Sequence, residues 1–179
     1  MQRKLFNSAS SYGGVSKFFH WVVAAFVLLM LFLGYGIGYV PDKLQRISLF
    51  NVHKLIGLTI LVFMVFRLCW RWMDTQPFSV NAPGWRRFLE KTVHFSLVGF
   101  VLLMPVAGWI GTAAAGQPPR LGKMVFNLPI PQSKWLSEIA FDVHNTVAIV
   151  LIVLLSIHIL ATAYHYLVCR DNVFKRMWV

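Results

Sequence analysis

Long uncharged stretches alternate with short polar segments along the chain. Three of these stretches contain no formally charged residue, with 23 positions at residues 18–40, 24 at 92–115 and 26 at 143–168. An α-helix rises about 1.5 Å per residue, so roughly 20 residues cross the hydrocarbon core of a bilayer, which is about 30 Å thick. Each stretch is therefore long enough to form a transmembrane helix.

A fourth stretch becomes long enough only when charged residues near its ends are included. Residues 55–66 carry no charge and would span about 18 Å as a helix. Extension to residues 52–72 gives about 31 Å and puts Lys54 and Arg67 toward the two ends, from which long basic side chains can reach the membrane interface. The pattern predicts four spans, at about 18–40, 52–72, 88–115 and 139–168.

The composition agrees with a membrane protein. Of the 179 residues, 58% are hydrophobic and 13% are charged, whereas soluble domains are nearer one half and one quarter. The first stretch is too long and too aromatic for the apolar part of a cleaved signal peptide. We therefore predict an all-α fold, in which residues 1–179 form a single four-helix bundle embedded in a lipid bilayer.

The basic residues predict the orientation of the bundle. The net charge is +11, but Lys and Arg lie between the spans rather than on one soluble face, which argues against nucleic-acid binding. Eleven of the 17 fall on the side with both termini and six on the other. By the positive-inside rule, both termini are expected in the cytoplasm. The inner residues are Arg3, Lys4, Lys17, Arg67, Arg71, Arg86, Arg87, Lys91, Arg170, Lys175 and Arg176, and the outer ones are Lys43, Arg46, Lys54, Arg120, Lys123 and Lys134.

All six histidines lie within the predicted spans or at their edges, although loops make up over a third of the chain. Ionisable groups inside a bilayer are costly and usually mark ion, proton or cofactor sites. A single such histidine could be a plain interhelical hydrogen-bond donor, but six of six favour a functional role. They are His20, His53, His94, His144, His158 and His165.

The spacing of the histidines predicts two metal-ligating pairs. His144 and His158 are 14 residues apart, almost four helical turns, so they share one face of a helix at depths about 21 Å apart. His53 is predicted at the depth of His144, the outer histidine of this face, and His20 at the depth of His158, the inner one. A b-type haem in a bundle takes two axial ligands from different helices. This spacing fits two stacked haems.

Two histidines remain without a partner by this reasoning. His165 lies seven residues after His158, on almost the same face, so by depth alone it could replace His158 opposite His20. Otherwise His165 could bind a haem propionate or a quinone carbonyl. His94, in the inner third of the third span, is interpreted as a structural hydrogen-bond donor.

Two arginines near the inner edge of the second span are candidate ligands for haem propionates. Arg67 follows His53 by 14 residues on the same helix face, and Arg71 comes one turn later. A planar guanidinium suits a carboxylate, although a positive-inside anchor explains Arg67 equally well. Cys69 and Cys169 belong to no Cys-x-x-Cys-His motif, so any haem must be held by coordination alone.

Together these residues resemble the bacterial cytochrome b561 family of small di-haem membrane cytochromes, over nearly the full length of the chain. The family usually has a second histidine before its tail histidine, where this chain has Tyr164. The matching positions are His20-Trp21, His53 with Arg67, His144 with His158, and the tail residues His165-Tyr166, Arg170-Asp171-Asn172 and Arg176-Met177.

The resemblance implies a multi-pass protein of the bacterial inner membrane that exchanges electrons with the ubiquinone pool. It implies one haem b held by His53 and His144 and another by His20 and His158, which favours His158 over His165. The predicted outer face carries six basic residues against three acidic ones, Asp42, Glu138 and Asp142. This net charge of +3 is either incidental or attracts a small anion such as superoxide.

We therefore expect an oxidoreductase that transfers electrons between ubiquinone and a small outer-face partner, with superoxide as the candidate. One alternative is a haem-bearing membrane subunit of a larger reductase or dehydrogenase. Another is a histidine-based ion or metal transporter, which would normally carry Asp or Glu in the helix centres, where this sequence has none. The sequence determines neither the direction of electron flow nor whether the chain forms a homodimer.

Overall fold

The computed structural model describes residues 5–77, 83–171 and 173–178. Arg3, Lys4 and Asn172, which entered the sequence predictions, lie outside these ranges. The described chain forms helices α1 (Gly14–Ile37), α2 (Lys43–Met73), α3 (Gly84–Ala114), α4 (Lys134–Tyr164) and α5 (Val173–Met177), and a hairpin of strands β1 (Arg120–Leu121) and β2 (Met124–Val125).

Helices α1 to α4 are each long and apolar enough to cross a membrane. The prediction of an all-α membrane protein with four spans is confirmed. Helix α4 continues past Tyr164 into one π-helical turn, His165–Cys169, which ends where Arg170 adopts a left-handed backbone conformation with φ of 51°.

All four long helices begin earlier than the predicted spans, and α2 and α4 do so by the largest margins. Helix α2 begins at Lys43 and α4 at Lys134, whereas the uncharged pattern suggested about 52 and 139. The side chain of Asp42 accepts a hydrogen bond from the Gln45 amide, and Ser133 caps α4 in the same way. Such caps satisfy backbone amides that have no partner within the helix. Both helices therefore extend beyond the apolar stretch.

An apolar core lies at the middle of the bundle. All four long helices contribute to it, and Leu151 on α4 lies seven residues from both His144 and His158. In a bilayer, such helices associate through close side-chain packing rather than through the hydrophobic effect. The core thus separates the two histidine levels. Its buried members are Val23, Val27, Met30, Ile60, Met64, Val101, Val147 and Leu151.

Neighbouring helices in the chain pack against each other, α1 with α2, α2 with α3, and most extensively α3 with α4. Within the described residues, α1 with α4 and α2 with α4 are not among the closely packed helix pairs. Helix α4 is thus packed much more closely against α3 than against α1 or α2.

The described ends of the chain meet at one end of the bundle. The Lys17 amine donates to the carbonyl of Trp178 at 2.6 Å, and the Trp21 indole donates to that of Met177 at 2.9 Å. The Asn7 amide also bonds Asp74, just after α2. This end contains the beginnings of α1 and α3 and the ends of α2 and α4, as expected for an even number of spans. We call it the inner end and the opposite one the outer end.

Candidate functional site

Two histidines from different helices face each other near the outer end. His53 on α2 and His144 on α4 have ring centroids 6.1 Å apart, with ring planes inclined at 68°. An imidazole nitrogen binds a metal ion at about 2 Å, so two rings that share one ion lie about 6 Å apart between centres. The spacing therefore suits a shared metal.

Hydrogen bonding leaves one ring nitrogen of His144 available. Its Nδ1 lies 2.8 Å from the carbonyl oxygen of Met104. Because a carbonyl only accepts, Nδ1 must donate, and the lone pair of Nε2 is free to bind a metal. Gly108 makes this arrangement possible, since a Cβ at that position would lie only 3.0 Å from His144 Nδ1.

His53 has a buried ring nitrogen without a protein partner. Its Nδ1 makes no hydrogen bond within the described residues. A buried polar atom without a partner is costly and calls for an explanation, such as a bound group. Gly34 lies against the same ring, because a Cβ there would be 3.1 Å from His53 Cε1. Each outer histidine thus packs against a glycine.

A second pair faces across the bundle near the inner end. His20 on α1 and His158 on α4 have ring centroids 6.5 Å apart and planes inclined at 61°. The guanidinium of Arg67, on α2, lies 3.1 Å from His20 Nδ1. Arg71, one turn further on, is exposed at the same end. The structure thus brings Arg67 to the inner pair directly.

His94 has a contact that depth reasoning missed. Its ring centroid lies 5.2 Å from that of His158, with the planes nearly perpendicular at 88°. Its Nδ1 donates to the carbonyl of Glu90 at 2.7 Å, a bond within α3. The sequence did contain a signal for this contact, because His94 and His158 were both predicted in the inner part of the membrane. The inner end therefore holds three neighbouring histidine rings.

His165 is engaged with the tail. Its Nδ1 donates to an oxygen of the Asp171 carboxylate at 2.5 Å, and the other oxygen accepts from the Val173 amide at 3.0 Å. Partial burial acts to raise the pKa of Asp171, but the hydrogen bonds from His165 and Val173 and the charge of His165 lower it, and the net pKa is below its ordinary value. The carboxylate is therefore ionised at neutral pH. His165, Cys169 and Asp171 each have an atom that could bind a metal ion, and these three atoms lie within 4.8 Å of one another.

The two pairs fit a flat cofactor better than a bare ion. His53 faces His144 between α2 and α4, and His20 faces His158 between α1 and α4. These are the helix pairs that do not pack closely within the described chain. A macrocycle held by two imidazoles from different helices needs helices that are not closely packed, and that is the arrangement of b-type haem. Fold and site together define a membrane cytochrome.

The comparisons with known proteins name the family. A model of prokaryotic cytochrome b561 matches residues 11–179, and the chain therefore belongs to that family. It is 24% identical over 177 residues to cytochrome b561 homolog 2 of Escherichia coli strain K12, a match that covers 96% of this chain and 93% of that protein. The family consists of multi-pass membrane cytochromes that bind haem b and transfer electrons, which confirms these parts of the prediction.

Proposed function

We propose that the chain holds two b-type haems, the outer one by His53 and His144 and the inner one by His20 and His158. The observation that carries this proposal is the pair of facing imidazoles at each end, with centroids 6.1 Å and 6.5 Å apart, between helices that do not pack closely. His158 is preferred to His165 as the inner ligand because it faces His20, whereas His165 bonds Asp171.

The residues of the chain then have distinct tasks. When bound, haem supplies reversible one-electron chemistry at its iron. Each haem would be held by two histidines, and the apolar core around Leu151 excludes water between the two levels. Those levels are about 21 Å apart along α4, following the 14-residue offset of His144 and His158. The edges of two haems held at these levels would be closer together than that, so electrons could cross the bundle without helix movement.

At the inner end, Arg67 is the candidate partner for haem propionates. A guanidinium binds a carboxylate through two parallel hydrogen bonds. Arg67 is partly buried beside His20, while Arg71 extends the basic surface toward the interface. His165, held by Asp171, is the third candidate at this end.

At the outer end, hydrogen bonds hold the Lys54 amine and the backbone of Arg120. The side chain of Asn51 donates to the carbonyl of Arg120 at 2.7 Å and accepts from its amide at 2.9 Å, which ties β1 to α2. The amine of Lys54, next to His53 in sequence, donates to the Gln117 carbonyl at 2.8 Å. A positively charged surface attracts small anions and raises their rate of encounter.

We therefore propose superoxide as the outer reductant and ubiquinone as the acceptor. In the overall reaction two superoxide ions lose one electron each and become dioxygen. One ubiquinone takes up those two electrons and two protons and becomes ubiquinol. The charge of Lys54, Arg120 and Lys123 favours an anionic donor over a neutral one.

Stopped-flow reduction of the oxidised protein by superoxide, with excess ubiquinone and a series of salt concentrations, tests this function. A fast rate that falls with salt is expected, because exposed charges act over only about 8 Å at physiological ionic strength. Formation of ubiquinol must accompany it. A slow rate that ignores salt, or electrons that never reach quinone, would instead favour a membrane subunit that receives electrons from a protein partner.

A further inference from the structure

The turn that ends α4 brings together three side chains of different chemistry. His165 and Cys169 lie four residues apart in the single π-helical turn, so nearly one turn separates them. Arg170 then adopts the left-handed conformation, and the amides of Arg170 and Asp171 both donate to the His165 carbonyl. The chain folds back at this point, and the Asp171 side chain therefore returns to His165.

The three side chains converge on one small volume. A ring nitrogen of His165, the sulfur of Cys169 and a carboxylate oxygen of Asp171 lie within 4.8 Å of one another. The hydrogen bond of 2.5 Å between His165 and Asp171 accounts for two of these groups. Cys169 takes no part in that bond, and its place beside both partners calls for a further explanation.

These three groups are the ligand types that zinc prefers in proteins. Imidazole nitrogen, thiolate sulfur and carboxylate oxygen bind zinc at about 2.0–2.3 Å, so two ligand atoms of a tetrahedral site lie about 3.3–3.5 Å apart. Small side-chain rotations bring the three atoms to such spacings. The side chains of His165 and Asp171 are 37% and 28% exposed, and Cys169 is also exposed, so an ion can enter from solvent.

We propose that His165, Cys169 and Asp171 bind a divalent transition metal ion with the ligand preferences of zinc, with water as the fourth ligand. The thiolate and the carboxylate supply two negative charges, which match the charge of the ion. The ion takes the place of the proton that His165 shares with Asp171 and of the thiol proton of Cys169, and both protons pass to water. This site is separate from the two haem-binding pairs proposed above and requires only that His165 is not itself a haem ligand.

A metal ion at this position would tie the end of α4 to the segment that leads into α5. Helix α5 begins at Val173, two residues after Asp171, and its Met177 carbonyl accepts from the Trp21 indole on α1. Binding should therefore restrict the tail as well as the three ligands. Slower hydrogen exchange of Val173–Met177 is the expected sign.

The experiment measures the reactivity of the two cysteines in the purified full-length protein with its haem. Cys69 is an internal control, because it is exposed near the end of α2 and belongs to no comparable group among the described residues. Alkylation by N-ethylmaleimide is followed by mass spectrometry of the peptides, with and without buffered Zn²⁺. We expect zinc to slow alkylation of Cys169 by roughly tenfold or more and to leave Cys69 unchanged, because a bound thiolate is a poor nucleophile.

Two variants separate this site from a general effect of zinc on thiols. Asp171→Asn removes one ligand and should raise the zinc concentration that half-protects Cys169 by about tenfold or more, a loss typical even of residues that only support a ligand. Glu90→Gln removes an exposed carboxylate at the same end and is the matched control, which should be protected like the parent. The haem spectrum of each variant shows whether it is folded.

Hydrogen exchange gives a second test that does not depend on thiol reactivity. Cys169→Ser retains both partners of the hydrogen bond between His165 and Asp171 but removes the sulfur ligand, so zinc should slow tail exchange in the parent and not in this variant. Equal alkylation of Cys169 with and without zinc would overturn the proposal. Equal slowing at Cys69, or full protection of Cys169 in Asp171→Asn, would overturn it as well.

Discussion

At the scale of single residues, Gly108 leaves the space in which His144 can turn its Nδ1 toward the Met104 carbonyl. A Cβ there would lie 3.0 Å from that nitrogen, closer than a side chain normally allows. We expect Gly108→Ala to push the imidazole away from the orientation proposed for ligation and to weaken binding of the outer haem by roughly 5- to 150-fold, as overpacking of about 1–3 kcal/mol implies.

Haem titration followed by absorbance measures this effect. Gly99→Ala is the matched control, because a Cβ there meets nothing within 4 Å. Unchanged outer-haem affinity in Gly108→Ala would show that the close fit around His144 does not matter for ligation.

The ligand pairs make a second prediction for single residues. His53→Ala or His144→Ala should each remove the outer haem and leave the inner spectrum largely intact, because each haem needs both of its axial imidazoles. His20→Ala and His158→Ala should do the converse. If His165→Ala removes the inner haem while His158→Ala spares it, then His165 and not His158 is the ligand.

At the scale of elements, the bond between His165 and Asp171 fastens α5 to the end of α4. Asp171→Asn should loosen this tail, because the amide loses the charge that strengthens both hydrogen bonds. Hydrogen–deuterium exchange of Val173–Met177 should accelerate while the haem spectra stay unchanged. Unaltered exchange would mean that other contacts, such as that of Trp21 with the Met177 carbonyl, hold the tail alone.

The same contact gives a pH dependence with a definite sign. The pKa of Asp171 is lowered from its ordinary value of 3.8. A carboxyl with a depressed pKa contributes its stability above the ordinary value and loses it as the pH falls through the folded value. The protection factor of the tail amides, which compares their exchange with that of an unstructured peptide at the same pH, should therefore be constant from neutral pH down to that ordinary value and fall only below it. A fall near pH 6 would contradict a role for this carboxylate.

The helices also show how much of the fold could be predicted from the sequence alone. Hydropathy predicted four helices, because a bilayer requires about 20 apolar residues per span. It missed the early starts of α2 and α4, which depend on capping by Asp42 and Ser133 rather than on apolar character. The signal was available in the chain, since Asp42 is followed three residues later by Gln45, a typical helix start.

At the scale of the whole molecule, periodicity along α4 predicted two histidine levels, and the structure has a facing imidazole at each level. Depth could not predict how each helix is rotated about its axis. The ring contact of His94 with His158 and the contact of Arg67 with His20 depend on that rotation and on helix packing. Both therefore became visible only in three dimensions.

The central claim is that one chain holds two haems, and a haem count on the purified full-length protein tests it most directly. The pyridine haemochrome spectrum gives moles of haem b, and amino-acid analysis gives moles of chain. We predict two haems per chain, both low-spin, and one in each of His144→Ala and His158→Ala. A ratio of one in the unaltered protein, unchanged when excess haem is supplied, would contradict the claim.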